Sequence, residues 1–521
     1  MYYDARTMGS TPAVRRDAMP AAIDIHCHLV HADSVELDSF VVAYLRGVPV
    51  LGGMPPAVAE VLKKLLRRLT ERDAPPAAPG FQPKADAGVL ADLLRALGAD
   101  KALAQKLSRT WLRRLATALD CGLPRWLLIW LLGKALGGMD FDQVFLNFAP
   151  VFTDRQSEIL GELLRTYEGQ HTDLYVPLMT DYENWLGGDP PWLAWGASDA
   201  YPQSRVDYKK QLTAQHKGRI HFFAPFCPMR AAAIAKGAPG PGTVDDVVAL
   251  VKHHGFLGVK LYPLMGYRPA QNAANNTAPL PIPPRWQGLD LRWADVDAAL
   301  DALYAACAAD GIPITAHCSP QGARGTHGSA PTDYSPDNQA HPDHWRHVLQ
   351  AHSRLILNLA HTSGDHLHRL DEADEETPND WAWRIGLLMD EFPGVYSDRS
   401  CVIPPMPQVP KLYDRFIQRH LEILRMNDAV PYRLMYGSDW HLVLMYAGQY
   451  LEARDRFAEA FGRSEFDQFP DLVPNFLGGN AGRFLGLSAA APGPNRARLE
   501  TFYTSELHLA PADFPAWWTK V

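Results

Sequence analysis

The chain has 521 residues, 47% of them hydrophobic and 21% charged, which is ordinary globular composition and suits one large domain with insertions or two to three domains. Lys+Arg 50 against Asp+Glu 58 gives a formal net charge of −8, which argues against a dedicated nucleic-acid surface. Six cysteines (27, 121, 227, 307, 318 and 401) form no C-x-x-C pair, so reduced thiols in a cytoplasmic protein are expected.

Residues 1–20 are polar and read as a loose arm, without the apolar core of a secretory signal. No apolar run reaches the roughly 18 residues of a spanning helix. Ala22–Leu29 (AIDIHCHL) then alternates, with Ile23, Ile25 and Cys27 on one parity and Asp24, His26 and His28 on the other. Period two is the strand signature, and it aims both imidazoles the same way. Histidines at this spacing are often only half-buried strand residues, so the other ligands must come from elsewhere.

Residues 30–165 show apolar spacings of three and four, as in VLKKLLRRLTERD and LPRWLLIWLLGKALGG. They predict a helical insertion between strands one and two. Its most apolar part, Trp126–Leu132, reads as a buried helix, with a dimer contact or a membrane-touching lid left open.

From there the chain becomes rhythmic. Apolar segments recur at 173–180, 220–225, 257–262, 312–317, 355–361, 395–398 and 432–439, with helical patterns such as TVDDVVALVKHHG between them. With strand one they make eight. Alternating strand and helix predicts a parallel sheet, and eight repeats predict an α/β fold of the (β/α)8 TIM-barrel type. Residues 21–29 and 166–487 would form that barrel. Residues 488–521 would be a C-terminal tail wrapped around it. An open doubly wound sheet would call for a Gly-rich turn after strand one, and none is present.

Reactive groups of such barrels sit at the C-terminal ends of strands. His26 and His28 end strand one, Lys260 lies late in strand four, His317 ends strand five, His361 strand six and Asp439 strand eight. Five strands ending in a metal ligand or a lysine are hard to explain by core packing. Neutral imidazoles with one carboxylate suit Zn²⁺ or a similar first-row ion with an open position.

The ordered set IDIHCHL, GVKLYP, PITAHC, HPDHWRHVLQAHSRLILNLAHTSG, VYSDRS, LMYGSDW and NFLGGNAGRFLGL resembles the amidohydrolase superfamily, and within it the branch that includes amino-carboxymuconate-semialdehyde decarboxylase. The resemblance covers residues 20–29 and most of 170–487. It implies that His26, His28, His317 and Asp439 hold a catalytic metal and that Asp439 accepts a proton from the activated water. His361 would orient substrate and stabilise negative charge, or bind a second ion. Lys260 matches the lysine that two-metal members carboxylate as a bridge; otherwise it remains an ammonium.

The expected activity is metal-dependent hydrolysis of an amide, ester or lactone carbonyl of a small molecule, with one or two divalent ions, zinc first. Non-oxidative decarboxylation of a carboxylated, aromatic or other, small molecule is the alternative on the same donors. A non-enzymatic metal-binding scaffold would have no need of an open-site ligand set. Tyr262, Arg268, Arg399 and Trp440 follow strand ends and are candidates for touching substrate. Asp24 is read as an acceptor for a ligand imidazole, or as a hydrogen-bonded core Asp. A homo-oligomer is left open.

Overall fold

A computed structural model describes residues 21–30, 156–168, 172–186, 190, 193–198, 201–320, 322–325, 335–363, 381–405, 407–408, 410–440 and 449–521. The N-terminal arm, residues 31–155 of the expected insertion, His327 and His441 lie outside the described residues.

Among the described residues, eight short strands follow in the order expected: β1 (Ile23–Cys27), β2 (Leu174–Pro177), β3 (Phe223–Pro225), β4 (Gly258–Leu261), β5 (Ile314–His317), β6 (Leu357–Ala360), β7 (Val395–Asp398) and β8 (Leu434–Met435). Helices separate them, among them α1 (Arg205–Gln215), α2 (Val244–His253) and α3 (Trp293–Asp310). Local chemistry sets the helix ends. Thr243 and Asp246 cap the start of α2 reciprocally, satisfying donors that have no partner within the helix. Gly311, at φ 61°, stops α3 in the left-handed region that glycine tolerates.

All strand pairs are parallel, which makes the protein α/β with a parallel sheet arrangement. The ladders run β1–β2 and, separately, β3 through β8 in sequence order. They do not themselves close a barrel. At one seam, two isolated bridges join Tyr175 to Ile220 and Leu178 to Phe223. At the other, Ile25 N donates to Tyr436 O at 3.3 Å and Asp439 N to His26 O at 2.7 Å. The second seam is thin because β8 spans two residues and β1 is irregular.

That irregularity alters the expected alternation. Ile23 pairs with Leu174 and Asp24 with Tyr175, yet Cys27 pairs with Pro177, so β1 holds one residue more than β2 over this interval. A bulge of this kind re-aims the side chains beyond it. Ile23 and Ile25 accordingly share a core with Leu174, Phe223, Met435 and Phe484, whereas Cys27 joins the larger core with Trp440 and Tyr436. The single apolar parity expected for Ile23, Ile25 and Cys27 is split between two cores.

The C-terminal segment covers the opposite end of the strands from the expected site. The Tyr503 hydroxyl lies 2.7 Å from His221 Nε2, Trp517 Nε1 donates to Gly218 O at 2.8 Å, and Ala21 N donates to Lys520 O at 3.4 Å. Gly218, His221 and Ala21 all precede the strand that follows them, so this cover lies at the N-terminal ends. No helix among the described residues is long and apolar enough to cross a membrane.

Candidate metal centre

His26 and His28 converge as the spacing predicts, and each outer nitrogen faces an oxygen that can only accept; the Ser400 hydroxyl also lies 3.0 Å from His26 Nδ1. His26 Nδ1 lies 3.1 Å from an Asp398 carboxylate oxygen, and His28 Nδ1 lies 3.1 Å from the Leu178 carbonyl oxygen. In its neutral form each ring therefore carries its proton on Nδ1 and presents a bare Nε2. The two Nε2 atoms are 3.2 Å apart. An Asp439 oxygen lies 3.2 Å from His28 Nε2 and 3.6 Å from His26 Nε2. Two lone pairs and a carboxylate facing one another repel. A proton on either nitrogen serves one of these contacts, whereas a cation serves all three. Ligands of a tetrahedral ion with bonds of about 2.0–2.1 Å stand about 3.3–3.4 Å apart, so the triangle has the size that a zinc-like ion takes.

The electrostatics agree with this donor set. Burial drives the His26 pKa down to about 3, keeping the ring neutral. Burial pushes the Asp439 carboxyl up, but the facing His28, His26 and His361 rings outweigh it and hold the group below the usual carboxylate range.

Asp398, at the end of β7, anchors the arrangement. One oxygen accepts from His361 N at 3.1 Å, Ser400 N at 3.1 Å and the Ser400 hydroxyl. The other accepts from Asn358 Nδ2 at 2.7 Å and faces His26 Nδ1. Burial raises this carboxyl, yet the facing His26 and these hydrogen bonds hold it well below its ordinary range. The bond to His361 N pins a backbone whose φ is 75° at His361 and 42° at Thr362, left-handed values that side chains rarely adopt.

His361 and His317 form the second part of the cluster. His361 Nδ1 lies 2.9 Å from Ser400 Oγ, and its Nε2 lies 3.0 Å from His317 Nδ1. The His361 and His26 rings are 4.7 Å apart, and the His317 ring stacks on Tyr262 at 4.4 Å. Lys260 pairs in register with Pro225 and Thr315. Its Nζ is buried and makes no hydrogen bond among the described residues. Burial lowers its pKa to about 8 against the opposing pull of Asp398 and Asp439.

The structure thus brings together His26, His28, Asp439 and His361, with His317 and Tyr262 reached through His361. Three expected substrate contacts have other surroundings in the structure. Arg399 follows Asp398, and the strand alternation turns it away; its Nη1 donates to Thr362 O at 3.2 Å. Trp440 is fully buried in the larger core. Arg268 has its guanidinium 3.6 Å from Asp337. Asp24 does not accept from an imidazole: its carboxylate takes Ser438 N at 2.9 Å and the Ser438 hydroxyl at 2.6 Å, because the bulge separates its direction from that of His26. Asp398 has the role expected of Asp24. A signal for it was present, since Val395–Asp398 ends in a carboxylate just where other strands end in ligands. For Ser400 the signal was weaker, as one hydroxyl in a loop has no distinctive spacing.

No curated protein gives a significant match to the chain. Among solved structures, an amidohydrolase from Burkholderia multivorans is 16% identical, with 69% of this chain and 95% of that chain covered and a TM-score of 0.38. The 5-carboxyvanillate decarboxylase of Novosphingobium aromaticivorans is 10% identical, with coverages of 73% and 93% and a TM-score of 0.34. A 2,6-dihydroxybenzoate decarboxylase is 12% identical, with coverages of 68% and 94% and a TM-score of 0.38. The family model described as Amidohydrolase matches residues 213–487, more than half of the chain and inclusive of Lys260, His317, His361, Asp398 and Asp439. The chain belongs to the amidohydrolase family.

Proposed function

We propose that this chain is a metal-dependent hydrolase of a small-molecule amide, ester or lactone, built on a (β/α)8-type arrangement whose two thin seams bring the strands into a ring. The observation that carries this reading is the triangle of His26 Nε2, His28 Nε2 and Asp439. Its tautomers and spacing leave room for a cation and little else. A divalent ion held there supplies Lewis acidity and brings the pKa of water near neutrality.

The chain's own groups divide the remaining work. Asp439, ionised and with one oxygen in the triangle, accepts a proton from the attacking water and passes it to the leaving group. His361, neutral because burial lowers its pKa, presents Nε2 to the site and stabilises charge on the substrate oxygen after protonation. Tyr262, stacked on His317, forms part of the wall that orients substrate. Lys260 is either the carboxylated bridge to a second ion or a buried ammonium.

The second state favours decarboxylation. A cationic Lys260 whose Nζ has no hydrogen bond among the described residues can pair with a substrate carboxylate. The test is metal analysis of the purified protein followed by paired screens of carbonyl substrates and aromatic acids. The reading expects at least one first-row ion per chain, with activity lost on chelation and restored by zinc or manganese. Full metal content in a His26→Ala/His28→Ala protein would refute the assignment. CO₂ release from an aromatic acid without hydrolysis of any carbonyl substrate would decide for the decarboxylase.

A further inference from the structure

We propose that Ser400 is a positioning residue that fixes the tautomer of His361 and couples that ring to His26 through one shared hydroxyl. The inference rests on the metal-centre reading for its consequence, but not for its geometry. Ser400 is fully buried. Its Oγ contacts three side chains: an Asp398 oxygen, His26 Nδ1 at 3.0 Å and His361 Nδ1 at 2.9 Å.

A serine hydroxyl has one proton and two lone pairs. The Asp398 carboxylate can only accept, so the Ser400 proton goes there. The two remaining neighbours must then donate to Oγ. The His26 Nδ1 proton is shared between Oγ and the second Asp398 oxygen, 3.1 Å away. His361 Nδ1 must likewise carry its proton, which leaves His361 Nε2 bare and facing His317 Nδ1 at 3.0 Å. A bare Nε2 is the form that can ligate an ion or take up a proton. The other tautomer would put a lone pair on Nδ1 against a lone pair on Ser400 Oγ, in a site with no water-like dielectric to screen it.

Asp398, Ser400, His26 and His361 therefore form one directional hydrogen-bond unit spanning the ends of β1, β6 and β7. Gly437 leaves room for the approach: a methyl on it would lie 2.7 Å from His26 Cβ and 3.1 Å from Ser400 Cβ.

The experiment labels histidine with ¹³C and reads the imidazole Cδ2 shift, which differs between the two neutral tautomers. The His361 signal is identified by its loss in His361→Gln. Metal-free wild-type protein near neutral pH is expected to show His361 in the Nδ1–H form. Ser400→Ala is expected to move that signal toward the Nε2–H form and to weaken zinc binding about 10-fold or more. Ser400→Thr and Ser400→Val have the same shape and differ in the hydroxyl; Thr is expected to match wild type in both readouts and Val to match Ala. This pair carries the test if Ser400→Ala does not fold. An unmoved His361 signal in Ser400→Ala, or equal signals in Thr and Val, overturns the proposal. The shift is read without metal, so it decides the tautomer even if wild-type protein binds no ion, the result that would instead refute the proposed function.

Discussion

Replacing Asp398 by Asn probes the centre without touching a ligand. The substitution keeps the shape and exchanges one acceptor oxygen for an N–H₂ donor. The structure dictates which end takes the amide. One Asp398 oxygen accepts from His361 N and Ser400 N as well as from the Ser400 hydroxyl, and a backbone N–H cannot become an acceptor. The Asn oxygen must stay there, so its N–H₂ faces His26 Nδ1 and Asn358 Nδ2. Asn358 can rotate its amide, since its own Oδ1 has no hydrogen bond among the described residues. The N–H₂ then opposes the His26 Nδ1 proton, which must turn wholly to Ser400 Oγ, 3.0 Å away, or move to Nε2, inside the ligand triangle; either way the ring loses its carboxylate partner. Loss of an outer partner of this kind costs about 10–100-fold in metal affinity, or about 1.4–2.7 kcal/mol. Where an Asp→Asn exchange forces the wrong imidazole tautomer in serine proteases, turnover falls about 10⁴-fold. Zinc affinity would be measured by titration against a competing chelator, with circular dichroism to show that the fold persists. A folded Asp398→Asn protein with wild-type zinc affinity would refute the tautomer argument.

Lys260→Ala decides the ion count. If the lysine is a carboxylated bridge, metal content falls from two ions to one and short carboxylic acids restore part of the activity, whereas unchanged content leaves Lys260 as an ammonium. Gly437→Ala should disrupt the centre from behind, because its methyl would press on His26 Cβ at 2.7 Å; the expectation is a stability loss of about 1–3 kcal/mol with weakened zinc binding, measured by denaturant unfolding and titration. Burial lowers the His221 pKa from 6.5 to about 4, so the unfolded chain binds the extra proton first. Its stabilising contribution is complete above pH 6.5 and is lost as pH falls toward 4, by about 3 kcal/mol in all. His221→Gln should flatten that part of the stability–pH curve, and an unchanged slope would exclude His221 as its source. Removing residues 35–165 tests the insertion, with poor solubility of the shortened chain as the expected outcome; a well-behaved, active product would show the segment to be dispensable.

The order of the eight strands was legible because each is a local apolar run bounded by turn chemistry. The meeting of His26, His28 and Asp439 was legible because ligand residue types follow successive strands in order, although the β1 bulge and the left-handed Asp439 set their final directions. Which of the two readings of Asp24 holds, the hydrogen-bonded core Asp, was decided by something parity cannot detect. The extra residue of β1 relative to β2 is a pairing fact, set by a neighbour 150 residues away. The contacts between the two ladders are non-local in the same sense: Ile25 meets Tyr436 and Leu178 meets Phe223, pairings that no window of sequence contains. Arg399 looked available from its position after a strand, but the neighbour of an inward Asp398 must turn outward.

Backbone strain at the strand ends follows from the same geometry. His361, Thr362 and Asp439 have φ values of 75°, 42° and 56°, and such conformations cost of order 1–3 kcal/mol each. They persist only where surrounding bonds overdetermine them. Asp398 holds His361 N, Thr362 Oγ1 donates to Asp398 O at 2.7 Å, and Asp439 N donates to His26 O at 2.7 Å. Each strained residue is thus tied to β1 or β7, the strands that carry His26 and Asp398. The strain turns His361 and Asp439 off the regular strand direction and toward His26, and the hydrogen bonds that hold it also set the imidazole tautomers. Position and protonation state of the ligands are therefore coupled. A substitution that relaxes the β7 end should disturb both together, without removing a single metal-binding atom.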